Sequence, residues 1–308
     1  MTTMKIRHHL LPALATLLAV VLGACAPTAP RPDTSTQPLK VASWNLEHLA
    51  AEDGLGCRPR TEADYATLRG YVERLDADVI AFAEVENAKA AARVFTPDKY
   101  TVLMSARPGG VRHGFCKRDA TSGPTIRKQD VGFAIRKGLH FEKHDELKDI
   151  ALGNPDLRWG VDISVDHDGQ PLRLLAVHLK SGCSGGDSSG ACPVLFDQVP
   201  VLHRWIAQRE QDRSGFIVLG DFNRRLDLAG DSVWKDLNAN LPGQATLVDA
   251  GAGIAATCQK RYPDFIDHIV LGGTSVARLQ PGSFAEFDYG VPEAQHPSDH
   301  CPISVLVN

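Results

Sequence analysis

The sequence lacks both an excess of charge of one sign and a series of hydrophobic runs long enough to span a membrane. Its 33 Lys and Arg residues and 37 Asp and Glu residues give a formal net charge of -4. This balance excludes a uniformly basic coat, so a contact with a polyanion has to be made by a local patch. The hydrophobic fraction of 43% and the charged fraction of 23% are ordinary for a soluble globular enzyme. They exclude a disordered, collagen-like or multi-span membrane chain.

The first 24 residues have the pattern of a secretory signal. Lys5 and Arg7 precede an apolar run over residues 10–24, which is shorter than the ~20 residues that a membrane span needs. The run ends in LGAC at positions 22–25, which resembles the bacterial lipobox. That resemblance implies cleavage before Cys25 and lipidation of its thiol, and the alternative is an ordinary signal followed by a chance cysteine. We therefore expect an exported protein of the bacterial cell envelope, either anchored to a membrane by this lipid alone or secreted.

Residues 25–38 predict a flexible tether, because they are rich in Pro, Thr, Ser and Ala and have no apolar period. The rest of the chain, residues 39–308, contains no internal repeat and no second linker. Although ~150 residues per domain would suggest two domains, this continuity favours one large catalytic domain, which we expect to be a monomer. Loss of the signal removes two cations and no acid, so the mature chain is more acidic than the precursor.

The seven cysteines are an odd number, and assigning Cys25 to a lipid leaves an even set. In an exported protein such a set favours three disulfides, which could be paired in about fifteen ways. One pair flanks a Gly/Ser loop and would close it. The expected pairs are Cys183–Cys192, Cys57–Cys116 and Cys258–Cys301. Buried free thiols are the alternative, and the absence of a CxxC spacing disfavours metal ligation.

Strand-like and helix-like segments alternate along the mature chain, which favours an α/β domain. A helix is predicted over 61–77, with Thr61 as its N-cap and apolar residues at helical spacing, and another over 193–211. The predicted strands lie at residues 39–45, 78–85, 100–105, 130–136, 160–166, 172–180, 214–223, 265–273 and 301–308.

Polar side chains follow six of these apolar runs, at the points where the runs end. One such residue is more often a turn former or a cap than a ligand, but six polar ends in one chain indicate a site at a sheet edge. The polar residues that these ends supply are Asn45, Glu84, Glu86, Asn87, His178, Asp221, Asn223, Asp267, His268, Ser298, Asp299 and His300.

This set of residue types has a common chemical use. Hard oxygen ligands such as those of Glu84 and Asp299 suit Mg²⁺, with Mn²⁺ or Ca²⁺ as alternatives. A His–Asp pair provides a proton-transfer group held in one tautomer, and side-chain amides donate hydrogen bonds to phosphate oxygens. Together these groups indicate metal-assisted hydrolysis of a phosphate ester.

The motifs SWN, AEVEN, AVHLKSG, LGDFN, IDHI and SDHCP, in this order, resemble the endonuclease/exonuclease/phosphatase superfamily, the deoxyribonuclease I-like proteins. The resemblance extends over residues 40–307, and LGDFN and SDHCP are its most diagnostic parts. It implies a four-layer α/β sandwich with two central mixed β-sheets flanked by helices. It also implies a Mg²⁺-dependent phosphoric ester hydrolase.

The resemblance assigns the metal and the substrate phosphate to five residues. Glu84 would be the principal metal ligand, supported by Asn45 and Asp299. Asn223, again with Asn45, would hold the scissile phosphate. Arg158, just before a predicted strand, matches a phosphate-contacting arginine of the family only loosely.

The same resemblance assigns the proton transfers. Asp221 would orient or deprotonate the attacking water, with Asn223 beside it. His178 would stabilise the pentavalent phosphorane or protonate the leaving oxygen. His300 would contact the scissile phosphate, and Asp267 would orient its ring. Which histidine is the acid and which the base stays open.

Substrate and reaction class leave several alternatives. A phosphodiesterase acting on nucleic acid is the leading interpretation, and a phosphatase or a phospholipid phosphodiesterase could use the same site. Residues 182–186 match GxSxG, which would suit a serine esterase with Ser184 as nucleophile. That serine lies in a long Gly/Ser loop rather than in a strand-to-helix turn, which argues against it. A non-catalytic binding lipoprotein would be expected to have lost the site residues, and all are present.

Some charged residues near the motifs could act at the site or have only a surface or structural role. Glu47 and Glu86 could support the site or be surface residues. Either Arg224 or Arg225 could reach a second phosphate, and His268 is expected to be structural because a strand would point it away from Asp267.

The stretch from 107 to 128 contains six cations and one acid. It could bind a polyanion, although balance by neighbouring acids is the preferred interpretation.

Overall fold

A computed structural model describes Met1 and residues 37–109, 114–117 and 120–308 of the chain. The expected signal segment, Cys25 and nearly all of the expected tether lie outside the described residues. The described residues from position 37 to Asn308 form one compact unit. No helix in the described part of the chain is long and apolar enough to cross a membrane.

The described residues form twelve strands, five α-helices and three 3₁₀ helices. The strands are β1 (Leu39–Leu49), β2 (Val79–Val85), β3 (Tyr100–Met104), β4 (Asp130–Arg136), β5 (Phe141–Lys143), β6 (Val161–His167), β7 (Gln170–His178), β8 (Gly215–Asp221), β9 (Val248–Asp249), β10 (Asp267–Gly272), β11 (Ala285–Glu286) and β12 (Ile303–Val307). The α-helices are α1 (Glu62–Leu75), α2 (Ala88–Ala92), α3 (Cys192–Gln211), α4 (Ser232–Asn238) and α5 (Ser275–Arg278). The 3₁₀ helices are Lys148–Ala151, Pro242–Gln244 and Glu293–Gln295.

The strands form two mixed sheets of six strands each. The first sheet has the order β11-β12-β1-β2-β4-β3, in which β1 and β2 are parallel and the other neighbours antiparallel. The second has the order β5-β6-β7-β8-β10-β9, in which β7 and β8 are the parallel pair. Each sheet therefore has one central parallel pair whose carboxyl ends meet at the same edge.

The core between the two sheets consists of side chains that alternate along the strands. Val41 of β1, Ala81 of β2 and Phe133 of β4 belong to the same buried cluster as Leu174 of β7 and Leu219 of β8. Because side chains of a strand alternate between its two faces, every second residue of each central strand points into this layer.

Helices cover the outer faces of the sheets. On the first sheet, Leu68 and Val72 of α1 pack with Trp44 and Phe82. On the second, the apolar stripe of α3 that includes Leu202 packs against β7 and β8. The molecule is thus the four-layer α/β sandwich that the sequence predicts, and that prediction is confirmed. The long helices lie within two residues of their predicted bounds, and Thr61 is the N-cap of α1, where its amide donates to Asp64 Oδ2 at 2.7 Å.

Three disulfides join the six described cysteines, in the pairs that the sequence analysis favours. Cys57–Cys116 links the loop after β1 to the loop before β4, and Cys183–Cys192 closes the loop between β7 and α3. Cys258–Cys301 links the segment before β10 to the segment before β12. All three disulfides therefore restrain connections between strands rather than the strands themselves.

We predict opposite effects for two Gly→Ala substitutions. Gly220 has a φ of +140°, and a Cβ there would lie 2.0 Å from the Val177 carbonyl oxygen. Because β7 and β8 would have to separate, Gly220→Ala should lower the free energy of unfolding by ~3 kcal/mol or more. Gly70 lies inside α1 with no atom within 4 Å of such a Cβ, so Gly70→Ala should raise it by about 0.5–1 kcal/mol. Urea unfolding of the oxidised protein measures both, and equal stability of the two variants would contradict the assignment.

Candidate active site

Most of the polar residues predicted from the sequence come together at one edge of the sandwich. Alternation places Asn45 on the same face of β1 as Val41, and Asp221 on the same face of β8 as Leu219. His178 and Asp267 have the corresponding positions on β7 and β10, and both are paired in register with Asp221. These side chains therefore form a polar end to the apolar layer between the sheets.

A cleft of about 460 Å³ opens at this edge. The predicted site residues that line it are Glu84, His178, Asp221, Asn223, Asp267, Asp299 and His300. The other lining residues come from the loops that follow β7 and β8, from Glu286 and Cys301, and from the segment that precedes β10.

Asp221 is the centre of the site. Its Oδ2 accepts a hydrogen bond from Asn45 Nδ2 at 3.0 Å and lies 3.4 Å from His178 Nε2 and 3.8 Å from His300 Nε2. Its Oδ1 accepts from the amide of Asn223 at 2.8 Å. Burial, with repulsion from Asp267, raises the pKa of Asp221 from 3.8 to about 7. This carboxyl can therefore change its protonation state near neutral pH.

His300 forms an ion pair with Asp267, with 2.5 Å between Nδ1 and Oδ2. Burial alone would lower the pKa of His300, but the carboxylates of Asp267, Asp221 and Asp299 raise it well above the ordinary value. The ring is consequently a cation at neutral pH, and its Nε2 lies 3.8 Å from both Asp221 Oδ2 and Asp299 Oδ1.

His178 has the opposite character. Burial lowers the pKa of His178 well below the ordinary value, and the nearby Arg158 guanidinium lowers it further. Arg158 Nη2 lies 2.5 Å from His178 Nε2, which makes Nε2 the acceptor and places the proton of the neutral ring on Nδ1. Arg158 itself is partly buried beside this ring.

Glu84 reaches the cleft through an unusual backbone conformation. The residue has a φ of 60°, at a register irregularity between Phe82 and Val85, which turns the carboxylate out of the regular strand. Such a conformation costs ~1–3 kcal/mol and is typical of functional sites. Glu84 Oε2 accepts from the amide of His48 at 3.0 Å. Burial opposes ionisation, but His48, Arg158 and His300 lower the pKa of Glu84 below its ordinary value, so the carboxylate is an anion.

Asp299 lies at the mouth of the cleft with a half-exposed side chain, and its Oδ1 is 3.8 Å from His300 Nε2. Its amide donates to Glu47 Oε2 at 2.8 Å, and Arg58 Nη1 donates to the same oxygen at 2.7 Å. Glu47 therefore ties the end of β1 to the segment before β12 and supports the site rather than the surface.

The donor atoms are suited to a hard divalent cation. Ligand atoms of Asp221, Asp267 and His300 lie within 4.8 Å of one another, but there the imidazolium already neutralises the carboxylates. Two other carboxylates are better suited to bind a cation from the cleft. Glu84 is an anion with fewer hydrogen-bond partners than Asp221, and Asp299 is half-exposed.

The charged residues with two interpretations can now be placed. Arg224 is buried, with its Nε 2.6 Å from Asp231 Oδ2, so it cannot reach a phosphate. Arg225 lines the cleft. His268 is buried behind the site, as expected, and its Nδ1 lies 2.7 Å from Asp249 Oδ2.

Glu86 does not line the cleft; its carboxylate accepts from the Ala51 amide and pairs with Arg127. In the basic stretch, Arg107 and Lys128 both pair with the buried Asp130. A neighbouring acid therefore neutralises these cations, as the preferred interpretation expects. Arg112 and Arg118 lie outside the described residues.

The loop that contains Ser184 is not a nucleophile elbow. Helix α3 begins only at Cys192, eight positions after the serine, and the Ser184 carbonyl accepts from the Arg225 amide at 2.9 Å. In the described part of the chain, no histidine forms a hydrogen bond with the Ser184 side chain. The geometry therefore disfavours the serine esterase.

Sequence reasoning missed several residues at the site. His48, which follows Glu47 in a second positive-φ position (54°), lies 3.8 Å from Glu84. Arg60 is buried and donates to the carbonyls of Leu46 and Pro297. Neither residue belongs to one of the motifs that carry the family resemblance.

Residues 42–300 match the Endonuclease/Exonuclease/phosphatase family, and the chain belongs to this family. No curated protein sequence matches the chain closely enough to add to this assignment.

Several solved structures share the fold. TDP2 from D. rerio, in a complex with a single-strand DNA product, has a TM-score of 0.59 and 18% identity, over 88% of this chain and 98% of that one. The human Nocturnin catalytic domain with a bound sulfate has a TM-score of 0.60 and 16% identity, over 88% and 94%. The AP endonuclease LMAP from Leishmania major has a TM-score of 0.56 and 16% identity, over 88% of each chain. At these identities the similarity establishes the fold.

We predict that the two cleft histidines differ in protonation state at about pH 7. In nitrogen-detected NMR spectra of metal-free protein, His300 should be an imidazolium and His178 a neutral ring. Asp267→Asn removes the nearest anion, so it should lower the pKa of His300, whereas the remote Glu142→Gln should not change it. A protonated His178 beside a neutral His300 would contradict the assignment.

Proposed function

We propose that the protein is a divalent-metal-dependent phosphodiesterase that acts on nucleic acid outside the cytoplasm. Membership of the family supports hydrolysis of phosphate esters. The observation that carries the proposal is the position of Asp221, whose pKa is about 7, between the cationic His300 and the contacting pair of His178 and Arg158. One cleft thus offers a base, an acid and a fixed positive charge around the place where a scissile phosphate would bind.

Glu84 would hold the metal ion, with Asn45 and Asp299 completing or supporting its site. Asn45 also positions Asp221 through its amide, which leaves its carbonyl oxygen for the cation and for the Glu47 amide. A bound Mg²⁺, or Mn²⁺ or Ca²⁺ in its place, would supply charge stabilisation to the phosphate oxygens. The ionised state of Glu84 supports this role.

The protein's own residues would carry the proton transfers. Asp221, with a pKa of about 7, would take the proton of the attacking water as its oxygen bonds to phosphorus. His300, held by Asp267, is the protonated group at neutral pH, so it would contact the scissile phosphate and is the better placed acid for the leaving oxygen. In this proposal, His300 is therefore the acid.

The remaining residues would bind the developing charge. The neutral His178 accepts from Arg158 and so holds the guanidinium in position beside the pentavalent phosphorane. Asn223, which lines the cleft and whose Nδ2 donates to the Leu179 carbonyl at 3.2 Å, would hold a phosphate oxygen.

Nucleic acid is the proposed substrate class because a neighbour of the same fold, TDP2 from D. rerio, was solved with a single-strand DNA product. Export is proposed because of the signal pattern and the three disulfides, since disulfides persist mainly in oxidising compartments. The lipid anchor on Cys25 is part of the same proposal.

The test is a substrate panel with Mg²⁺: single-strand and duplex DNA, RNA, methyl 4-nitrophenyl phosphate, sphingomyelin vesicles and inositol phosphates. We expect cleavage of the nucleic acids and of methyl 4-nitrophenyl phosphate but not of sphingomyelin, and this cleavage should be lost with EDTA and restored by Mg²⁺. His178→Ala and His300→Ala should each lower kcat/KM at least ~10²-fold. Glu84→Gln should raise the Mg²⁺ concentration needed for half-maximal activity, because it removes a charged ligand.

The exposed His140→Ala is the matched control and should keep full activity. Turnover that survives exhaustive EDTA treatment would contradict metal dependence. Near-normal turnover of a His178 or His300 variant would remove that residue from the mechanism, and cleavage of none of the panel would overturn the proposed function.

A further inference from the structure

The cleft extends beyond the scissile position along one segment of the chain. This segment, residues 256–266, is here called the cleft wall; it contributes eight of the residues that line the cleft and then enters β10 at Asp267. The loops that follow β7 and β8 line the other side of the cleft. Arg225 belongs to the second of these loops, and its Nε lies 3.5 Å from Asp264 Oδ2 of the cleft wall. Arg225 therefore spans the cleft beside the site.

The cleft wall is fixed directly to the catalytic residues. Cys258 is bonded to Cys301, the residue after His300, and Gln259 Nε2 donates to the Asp299 carbonyl at 2.5 Å. Internal hydrogen bonds close it into a turn, since the Tyr262 amide donates to the Gln259 carbonyl at 2.8 Å. A side chain on this turn thus has a defined position relative to Asp299 and His300, which would flank the scissile phosphate.

The chemistry of the exposed groups is aromatic and cationic. Tyr262 is 43% exposed, and the Arg261 guanidinium lies 4.5 Å from the centre of its ring. Arg225 is partly buried, and its Nε is shielded from solvent without a hydrogen-bond partner. The acids of the cleft wall region are already used: Glu286 accepts from the Thr257 amide and hydroxyl, and Asp264 faces Arg225.

We propose that the cleft wall is a nucleotide subsite of this phosphodiesterase. The base next to the scissile phosphate lies against Tyr262 and Arg261, and the neighbouring phosphate is bound by Arg225. The inference rests on the proposed function and narrows its substrate to strands whose bases are free to leave the stack, because a paired base cannot reach a side chain in a cleft.

A nucleotide fits this surface better than a lipid does. Within the described residues, Tyr262 is the one exposed large apolar side chain that lines the cleft. An acyl chain or a membrane surface would need a larger apolar patch. A ring in contact with the Arg261 guanidinium, in the same cleft as Arg225, matches an aromatic base next to a phosphate.

The test compares two substrates that differ only in their bases. One is single-strand oligothymidylate, and the other is an oligomer of the same length built from abasic tetrahydrofuran units. The wild-type protein should have a higher kcat/KM on oligothymidylate by roughly 5- to 100-fold, the effect of one stacked base. Tyr262→Ala should abolish this ratio, while Tyr262→Phe should keep it because the ring remains.

Arg225→Met keeps the aliphatic stem and should raise KM for both oligomers by about 10-fold or more, with the base preference intact. Ile254→Ala, an exposed side chain in a neighbouring loop outside the cleft lining, should change neither parameter. Thermal unfolding of each variant establishes that it is folded.

Cleavage of methyl 4-nitrophenyl phosphate, a diester without a second phosphate or a base, separates this inference from the proposed function. If the wild-type protein cleaves it with Mg²⁺ but shows no base preference, or if Tyr262→Ala keeps the preference, the subsite is overturned and the phosphodiesterase stands. Cleavage of sphingomyelin vesicles in place of oligonucleotides would likewise overturn the subsite. If neither the small diester nor any oligomer is cleaved, the proposed function fails as well.

Discussion

The buried carboxyl of Asp221 is the constraint on which the site depends. It lies at the end of the apolar layer between the two sheets, with 2% of its surface exposed, and it contacts residues of both. The hydrogen bond from Asn45 crosses from the first sheet to the second, while the two histidines approach from β7 and from the segment before β12. A charge in this position is costly, which is why the pKa is raised to about 7. The buried position of this carboxyl both keeps water away from it and raises its pKa into the range in which it can act as a base.

The surrounding chain is shaped to keep that carboxyl in place. Gly220, just before it, allows the close approach of β7 that no larger residue would permit. Glu84 and Asn223 have positive φ angles of 60° and 52°, so the backbone on both sides of the cleft is strained. The Cys258–Cys301 disulfide and Arg60 restrain the loops that carry Asp299 and His300. Stability provided by the core and the disulfides offsets the strain at the site.

Much of this architecture could be predicted from the sequence. The long apolar runs predicted nine of the twelve strands, whereas β5, β9 and β11 have only two or three residues, too few to show a period. The polar strand ends identified the site because Asn45, His178, Asp221 and Asp267 share the face of the core residues in their strands. Arg60 and Tyr262 could not be predicted, because loop geometry brings them to the site and no periodicity encodes it. His48 could not be predicted because the positive φ angles of Glu47 and His48 interrupt the regular alternation of β1. Arg224 and Arg225 are adjacent in sequence, and only the fold distinguishes the buried one from the one in the cleft.

The most direct test of this account is the free energy of unfolding of Asp221→Asn relative to wild type, measured in EDTA from about pH 4 to pH 8. A carboxyl whose pKa rises on folding from 3.8 to about 7 destabilises the fold increasingly over that range, by an amount on the order of 4 kcal/mol above pH 7. Asparagine carries no such cost but loses the attraction of His300. The account therefore predicts that the inactive variant is as stable as wild type or more stable at pH 8, and that its relative stability declines as the pH falls toward 4. A variant that is clearly less stable than wild type at pH 8, or whose relative stability does not change with pH, would contradict it.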